Sequence, residues 1–253
     1  MISLISDLIN EYDIFCSGDA LGTRIMSLLY SYGAKKPFAL FWEQRDKNQV
    51  LTALISKIDN SITVHSKNAD EDELKEFINA IGFESLSATP EFVDFIGFDC
   101  KVIIKTIMKY KDSHIFKSVK DGEKGSINID LNKIYDIIIV CNNINSTKEH
   151  YEAWITDISH RIRHGYADAV TAQVDDKIVS CALVLASTES DALIGGVATL
   201  EEYRNLGLAQ KCIYELISRN INKNIFIFCK EDKICFYNKL GFEKYANTAE
   251  VNL

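Results

Sequence analysis

The chain has 253 residues, a formal net charge of −8, and 47% hydrophobic against 25% charged residues, the balance of a well-cored protein of one large or two smaller domains. That acidity argues against a nucleic-acid or anionic-membrane partner, and no apolar run approaches the ~18 residues of a bilayer span. The opening MISLISDLINEYDIF carries acids where a secretory signal carries bases, so a cytoplasmic location is expected.

Taken in chain order, CSGDALGTR contains a Gly-x-x-x-Gly step, but no β-run leads into it and no Walker lysine follows, which argues against a nucleotide loop. FALFWEQ, the polar turn RDKN and QVLTALISK predict a strand hairpin, and SITVHSK a further strand. DEDELKEFINAIG predicts a helix whose first turn is acidic, as the helix dipole favours. The polar, glycine-containing stretch around residues 112–130 separates two apolar runs, so a domain boundary is expected there, dividing the chain into 1–120 and 121–253.

Beyond it, YDIIIVCNN (Tyr135 to Asn143) is an apolar, β-branched run that reads as a buried strand. A helix is expected from about Ser146 to His164, with Ser146 or Thr147 as its cap and Gly165 as its stop. ADAVTAQVDDKIVSCALVLAS predicts strand, turn and strand, and DALIGGVATL a third strand. A helix to about Arg219, the strand NIFIFC, a short helix over roughly Asp232 to Leu240 and a strand from Phe242 complete a mixed α/β pattern.

The two halves share an echo. ITVHSK…FINAIGFES and IFIFCK…FYNKLGFEK both run strand, helix, Gly-Phe-Glu, with Gly82 and Phe83 standing where Gly241 and Phe242 stand. Glycine suits the residue after a helix, where a left-handed conformation is common, and the phenylalanine re-enters the core. Ile78 occupies the place equivalent to Tyr237, and the first half has nothing like RNLGLA between its strands.

RNLGLA, Arg204 to Ala209, sits where a strand ends and a helix begins. Such a junction presents unpaired backbone N–H groups and the positive end of the helix dipole, a site for phosphate. Gly207 leaves the loop without a Cβ, the small Ala209 lets an anion approach the first turn, and Arg204 adds a fixed positive charge. An ordinary strand-to-helix turn with Gly207 as a packing residue is the alternative.

VATLEEYRNLGLA resembles motif A of the GCN5-related N-acetyltransferases (GNATs), Gln/Arg-x-x-Gly-x-Gly/Ala, through Arg204, Gly207 and Ala209. CFYNKLGFE resembles a second motif of that family through Tyr237, Gly241 and Phe242. The resemblance implies an α/β fold with a mixed, mostly antiparallel sheet flanked by helices, here as two GNAT-like units in tandem, the first degenerate. It implies acetyl-CoA as cosubstrate, its pyrophosphate on the amides of Arg204, Asn205, Leu206, Gly207, Leu208 and Ala209, and its pantetheine arm along the backbone near Val197 and Thr199. The thioester carbonyl would be polarised by the N–H of Val197 or Ala198, and an amine acceptor would attack directly. Tyr237 matches the residue that protonates the departing thiolate, a task suited to a phenol of pKa ~10; a core aromatic is the plainer reading.

The sequence departs from the family at two points. ALIGGVAT holds no acid to serve as general base, and Glu201, Glu202 and Asp191 lie outside it; Lys230 stands where many relatives carry an asparagine. The cluster ISHRIRHG places His160, Arg161, Arg163 and His164 where they either recognise an acidic group on the substrate or offset a helix dipole, worth about 0.3–1 kcal/mol each. Trp154 and Tyr151 read as core or pocket wall.

The seven cysteines include no C-x-x-C pair and read as free thiols in a reducing compartment, with no metal site expected. An N-acetyltransferase acting on a small-molecule or peptide amine is the leading expectation, and a homodimer is open. A non-catalytic acyl-CoA-binding or regulatory module would keep Gly207 without needing an acid at Tyr237. An aminoacyl-tRNA-dependent transferase, also built from tandem domains, would need a basic RNA-binding face that the net charge disfavours.

Overall fold

The computed structural model describes residues 1–111 and 129–253, so the boundary expected at 120/121 lies outside the described residues. Contacts divide the chain into two compact units that are not contiguous in sequence: Met1–Met108, Phe228–Ile234 and Lys244–Leu253 form one, and Lys109–Ile227 with Cys235–Glu243 the other.

The first unit contains β1 (Ile2–Leu4), α1 (Asn10–Cys16), α2 (Ala20–Tyr32), β2 (Ala39–Arg45), β3 (Leu51–Ile58), β4 (Ser61–Ser66), α3 (Glu71–Ile81), β5 (Ser85–Ala88), α4 (Pro90–Ile96) and most of β6 (Val102–Tyr110). β1 to β4 pair antiparallel in chain order, β4 pairs parallel with β5, and β5 pairs antiparallel with the end of β11 (Phe242–Asn252), from Ala249↔Ala88 to Asn252↔Ser85. Helices cover both faces. Ile55, Ile62 and Val64 pack with Leu74, Ile78 and Phe92 of α3 and α4, whereas Phe41 and Leu54 pack with Ile25, Met26 and Leu29 of α2. Each such side chain contributes about 1.5–3 kcal/mol by leaving water.

The helix starts follow their sequence signals. Asp19, Asp70 and Thr89 accept the amides of Gly22, Glu73 and Phe92, and Pro90 opens α4. Gly82 closes α3 with φ 62° and ψ 157°, an extended conformation at positive φ that is essentially restricted to glycine; it is not the left-handed helical conformation expected.

Within CSGDALGTR, Asp19 Oδ1 lies 3.1 Å from Nδ1 of the buried His65, whose Nε2 is 3.2 Å from the Phe15 carbonyl. Each ring nitrogen thus faces an oxygen, and β4 is tied to the turn between α1 and α2.

The second unit contains α5 (Leu131–Asn142), α6 (Lys148–Arg163), β7 (Asp168–Val174), β8 (Lys177–Ser187), β9 (Asp191–Thr199), α7 (Leu208–Arg219), most of β10 (Asn224–Cys229), and residues of α8 (Ile234–Asn238) and of β11. β7, β8 and β9 pair antiparallel, and β9 pairs parallel with β10. Cys181, Leu183 and Leu185 of β8 join the α5–α6 core, while the Ser180 hydroxyl bonds β9, donating to the Ala198 carbonyl at 3.0 Å and lying 2.8 Å from Thr199 Oγ1.

One expectation is corrected: Tyr135 to Asn143 is helical. Asp130 caps α5 by accepting the amides of Asn132 and Lys133 at 3.0 and 3.2 Å. Ile134, Ile137, Ile138 and Cys141 then recur at helical spacing along one core-facing stripe. β-branching is only a weak preference, and packing of this stripe outweighs it. The helix expected over 146–164 forms, with Thr147 rather than Ser146 as its cap.

Burial pushes the Asp19 carboxyl up, but His65 and the amides of Gly22 and Leu21 outweigh it and hold the carboxyl below its ordinary range. A depressed folded pKa stabilises above the unfolded value and the gain is lost as pH falls. Asp19→Ala should therefore cost about 2–3 kcal/mol in urea unfolding at pH 7, a deficit that shrinks toward pH 3.

Candidate functional site

The site is built around β9. Its parallel pairing with β10 runs from Asp191↔Asn224 to Ile194↔Ile227, and β9 then continues to Thr199. On its other side the register with β8 slips. Cys181 faces Ala198 and Leu183 faces Gly195, so Gly196 and Val197 stand opposite Ala182 alone, a β-bulge. Gly196 has φ +57°, which suits glycine. Added Cβ atoms would meet Leu185 Cδ1 at 2.3 Å from Gly195 and Leu183 Cδ1 at 2.6 Å from Gly196, so a side chain at either place would require those leucine ends to move. The bulge takes Val197 out of the ladder and sets it, with Ala198, in the stretch where the resemblance predicts carbonyl polarisation.

After β9 the chain passes a 3-10 turn, Glu201–Tyr203, and enters RNLGLA, where Arg204 to Gly207 are exposed. Asn205 (φ 64°) and Gly207 (φ 76°, ψ 5°) are both left-handed, and Gly207 is the N-cap of α7. A Cβ on Gly207 would meet no atom within 4 Å: the glycine serves the backbone conformation and leaves open space in front of the first turn. Among the described helices of eight or more residues, α7 alone begins without a side-chain cap. Its first-turn amides at Leu208 and Ala209 are available to an anion. Arg204 Nε donates to the Thr199 carbonyl at 3.3 Å, tying the loop to the end of β9.

The corresponding helix of the first unit is closed to anions. Asp70 accepts the Glu73 amide at 3.1 Å and Gln44 Oε1 accepts the Asp70 amide at 3.0 Å, with Glu71, Asp72 and Glu73 in the first turn. The negative charge of that first turn disfavours a further anion there. The sequence echo that set Ile78 against Tyr237 does not hold in the fold: α3 joins the parallel strands β4 and β5 as α7 joins β9 and β10, so Ile78 stands on the counterpart of α7 and not of α8, completely buried among Leu74, Leu86 and Phe92.

Tyr237 lies on α8, buried, its ring 5.0 Å from that of Phe236 and 5.9 Å from that of Phe242. Gly241, with φ 87°, turns the chain so that Phe242 enters the core. Glu201, Glu202 and Lys230 are exposed, and Asp191 is buried at the far end of β9 on Ser190 Oγ (2.6 Å) and Asn224 Nδ2 (2.8 Å). The basic cluster divides: His160 and His164 stack at 4.2 Å and Arg163 is exposed, but Arg161 turns inward to Asp157 and the Leu185 carbonyl. Trp154 and Tyr151 both pack on Tyr135, at 5.2 and 5.1 Å.

The thiols near β9 are poor nucleophiles. Burial pushes Cys181 up to about 12 and Cys212 up to about 11, and Cys141 donates to the Thr199 carbonyl at 3.2 Å. Among the described residues no group of three or more His, Cys, Asp or Glu is placed to hold a metal ion, and no helix is long and apolar enough to cross a membrane.

Residues 166–244 match the family model of the acetyltransferase (GNAT) domain. No curated protein sequence matches the chain. Solved structures share its fold along its whole length. A tandem GNAT protein from the clavulanic acid biosynthesis pathway, solved without AcCoA, is 13% identical with a TM-score of 0.55, covering 100% of this chain and 98% of that one. A GCN5-related N-acetyltransferase from Kribbella flavida is 12% identical with a TM-score of 0.55, over 97% and 96% of the two chains. A GCN5-related N-acetyltransferase-like protein from Streptococcus suis 89/1591 is 18% identical with a TM-score of 0.50, over 95% and 96%.

The thiol environments give a direct check. With iodoacetamide at pH 8, peptide mass spectrometry should find the exposed Cys235 alkylated and Cys181 and Cys212 intact, because their thiolates form only as pH rises toward 11 and 12. Rapid labelling of Cys181 in folded protein would contradict the burial described.

Proposed function

With a GNAT acetyltransferase domain over residues 166–244 and the GNAT fold throughout, we propose that this protein is an acetyl-CoA-dependent N-acetyltransferase with one cosubstrate site, carried by its second unit. The observation that carries the reading is the pairing of a side-chain-uncapped helix at Gly207 with a glycine bulge at Gly196 on the strand leading to it. The residues fit acetyl-CoA: the open first turn of α7 suits a pyrophosphate, and the bulged stretch of β9 suits a carbonyl that must accept a backbone donor.

Acetyl-CoA, when bound, supplies the activated acetyl group. The amides from Arg204 to Ala209 bind the pyrophosphate, with Gly207 giving it access and Arg204 anchoring the loop. Val197 and Thr199 align the pantetheine arm. The N–H of Val197 or Ala198 polarises the thioester carbonyl, and because the donor is fixed before reaction it needs no reorganisation. A neutral primary amine attacks the thioester carbon, the C–S bond breaks, Tyr237 gives its phenolic proton to the departing thiolate, and the proton lost by the amine nitrogen passes to solvent, which reprotonates the phenolate. His160, Arg163 and His164 form a basic patch at the end of α6 that suits an acceptor bearing an acidic group.

Calorimetric titration of acetyl-CoA should give micromolar binding with one site per chain, because acids fill the equivalent helix end of the first unit. Gly207→Glu, which sets a carboxylate where the pyrophosphate belongs, should abolish binding in a folded protein; two sites, or none on wild type, would sink the assignment. In a thiol-release assay with amine acceptors, Tyr237→Phe should lower kcat by about 10²–10⁴ while acetyl-CoA affinity holds. Full activity in that variant would remove Tyr237 from the chemistry.

A further inference from the structure

The bulge in β9 does not stand by itself. Cys181↔Ala198 and Ser180↔Thr199 are in one register, Leu183↔Gly195 and Val184↔Ile194 in a register displaced by one residue, and Ala186↔Leu193 and Ser187↔Ala192 in the first register again. The strand β8 regains the register by a bulge of its own, in which Leu185 is the extra residue. The two bulges therefore cancel. If the Leu185 bulge relaxes, either the Gly196 bulge relaxes with it or one end of the β8–β9 pairing slides by a residue, turning every side chain there to the wrong face.

A bulged residue is left out of the ladder, and its polar groups need partners. The Leu185 carbonyl has one: Arg161 of α6, whose Nη1 donates to it. The rest of the guanidinium is held by Asp157 one turn earlier, through Nε at 3.0 Å to Oδ1 and through Nη2 to Oδ2. The Arg161 side chain is 12% exposed and that of Asp157 34%, so the fork is enclosed at the guanidinium and reaches solvent at the carboxylate. The Leu185 side chain in turn lies on Gly195, where an added Cβ would come within 2.3 Å of Leu185 Cδ1 and displace it. Contacts thus run from Asp157 through Arg161 and Leu185 to Gly195, and the backbone carries on into the Gly196 bulge.

We propose that Arg161 is a positioning residue for acetyl transfer: its fork, steadied by Asp157, holds the Leu185 bulge and through it the Gly196–Ala198 backbone that polarises the thioester carbonyl. The consequence for the reaction rests on the acetyltransferase reading above; the mechanical coupling of the two bulges does not. Arg161 touches neither cosubstrate nor acceptor in this role. Lysine at the same place keeps the charge but cannot span Asp157 and the Leu185 carbonyl with fixed geometry.

Two readouts separate the claims. Amide hydrogen exchange, followed by mass spectrometry on the full chain, should rise about tenfold or more across both 183–186 and 195–198 in Arg161→Lys, since a part-buried charge-assisted hydrogen bond is lost. Isotope-edited infrared spectra of bound [1-13C]acetyl-CoA should show the carbonyl stretch lowered on wild type, and that shift lost in Arg161→Lys with affinity held within about threefold. Asp157→Asn, which keeps the shape and weakens the fork, should show both effects in reduced form, and decides the matter if Arg161→Lys does not fold. Unchanged exchange at 195–198 in a folded variant would overturn the coupling, and a retained infrared shift would overturn the positioning role. A wild type that fails to bind acetyl-CoA would defeat the acetyltransferase reading alone, because the exchange experiment needs no ligand.

Discussion

The second unit depends on a pair of opposed register shifts in two neighbouring strands. A single bulge in an antiparallel pair would turn all later side chains inside out, moving buried residues such as Ala192 and Leu193 to the wrong face. Two bulges, one on each strand, confine the disturbance to Leu183–Val184 and Ile194–Gly195 and leave the core continuous on both sides. What remains is a short stretch of β9 backbone lifted from the ladder inside a well-packed sheet, where donors are held in place by Leu183, Leu185 and Ile138 pressing on two glycines. Preorganised donors of this kind are the type that polarises a carbonyl at little reorganisation cost.

The two units illustrate how one kind of helix start is capped by a side chain in one place and left open in another. α3 and α7 each follow a strand and each begin with unpaired amides. In α3 Asp70 accepts the Glu73 amide, and three acids in the first turn favour the dipole. In α7 a left-handed glycine takes the cap position, no side chain closes the end, and the turn faces open space. Glycine at the cap costs only a few tenths of a kcal/mol against Ser, Thr, Asn or Asp, so the open helix end is gained at little loss of stability.

Much of this was legible in the chain. The hairpin, the strands of the second half, the helix ends at Thr147 and Gly82 and the exposed turn at Gly207 follow from period, capping and glycine placement, all of them local. The helical spacing of Ile134, Ile137, Ile138 and Cys141 was present too, but four consecutive β-branched and apolar residues also satisfy a strand, and only the partner surface arbitrates. Nothing local distinguishes Arg161 from its neighbours His160, Arg163 and His164: all stand in the last turn or at the cap of one helix, and which of them turns inward is set by the position of the Leu185 carbonyl.

The sequence by itself determined the period of most elements, the glycines at the turns and the two motifs by which the chain resembles the GNAT family, because those rest on backbone conformation and contacts a few residues long. Tertiary structure alone decided the pairing of β11 with β5 across a separation of some 160 residues, the opposed bulges of β8 and β9, and the inward turn of Arg161. Register between strands is a property of two segments at once, fixed by which side chains fit against which, and no single stretch of sequence carries that information.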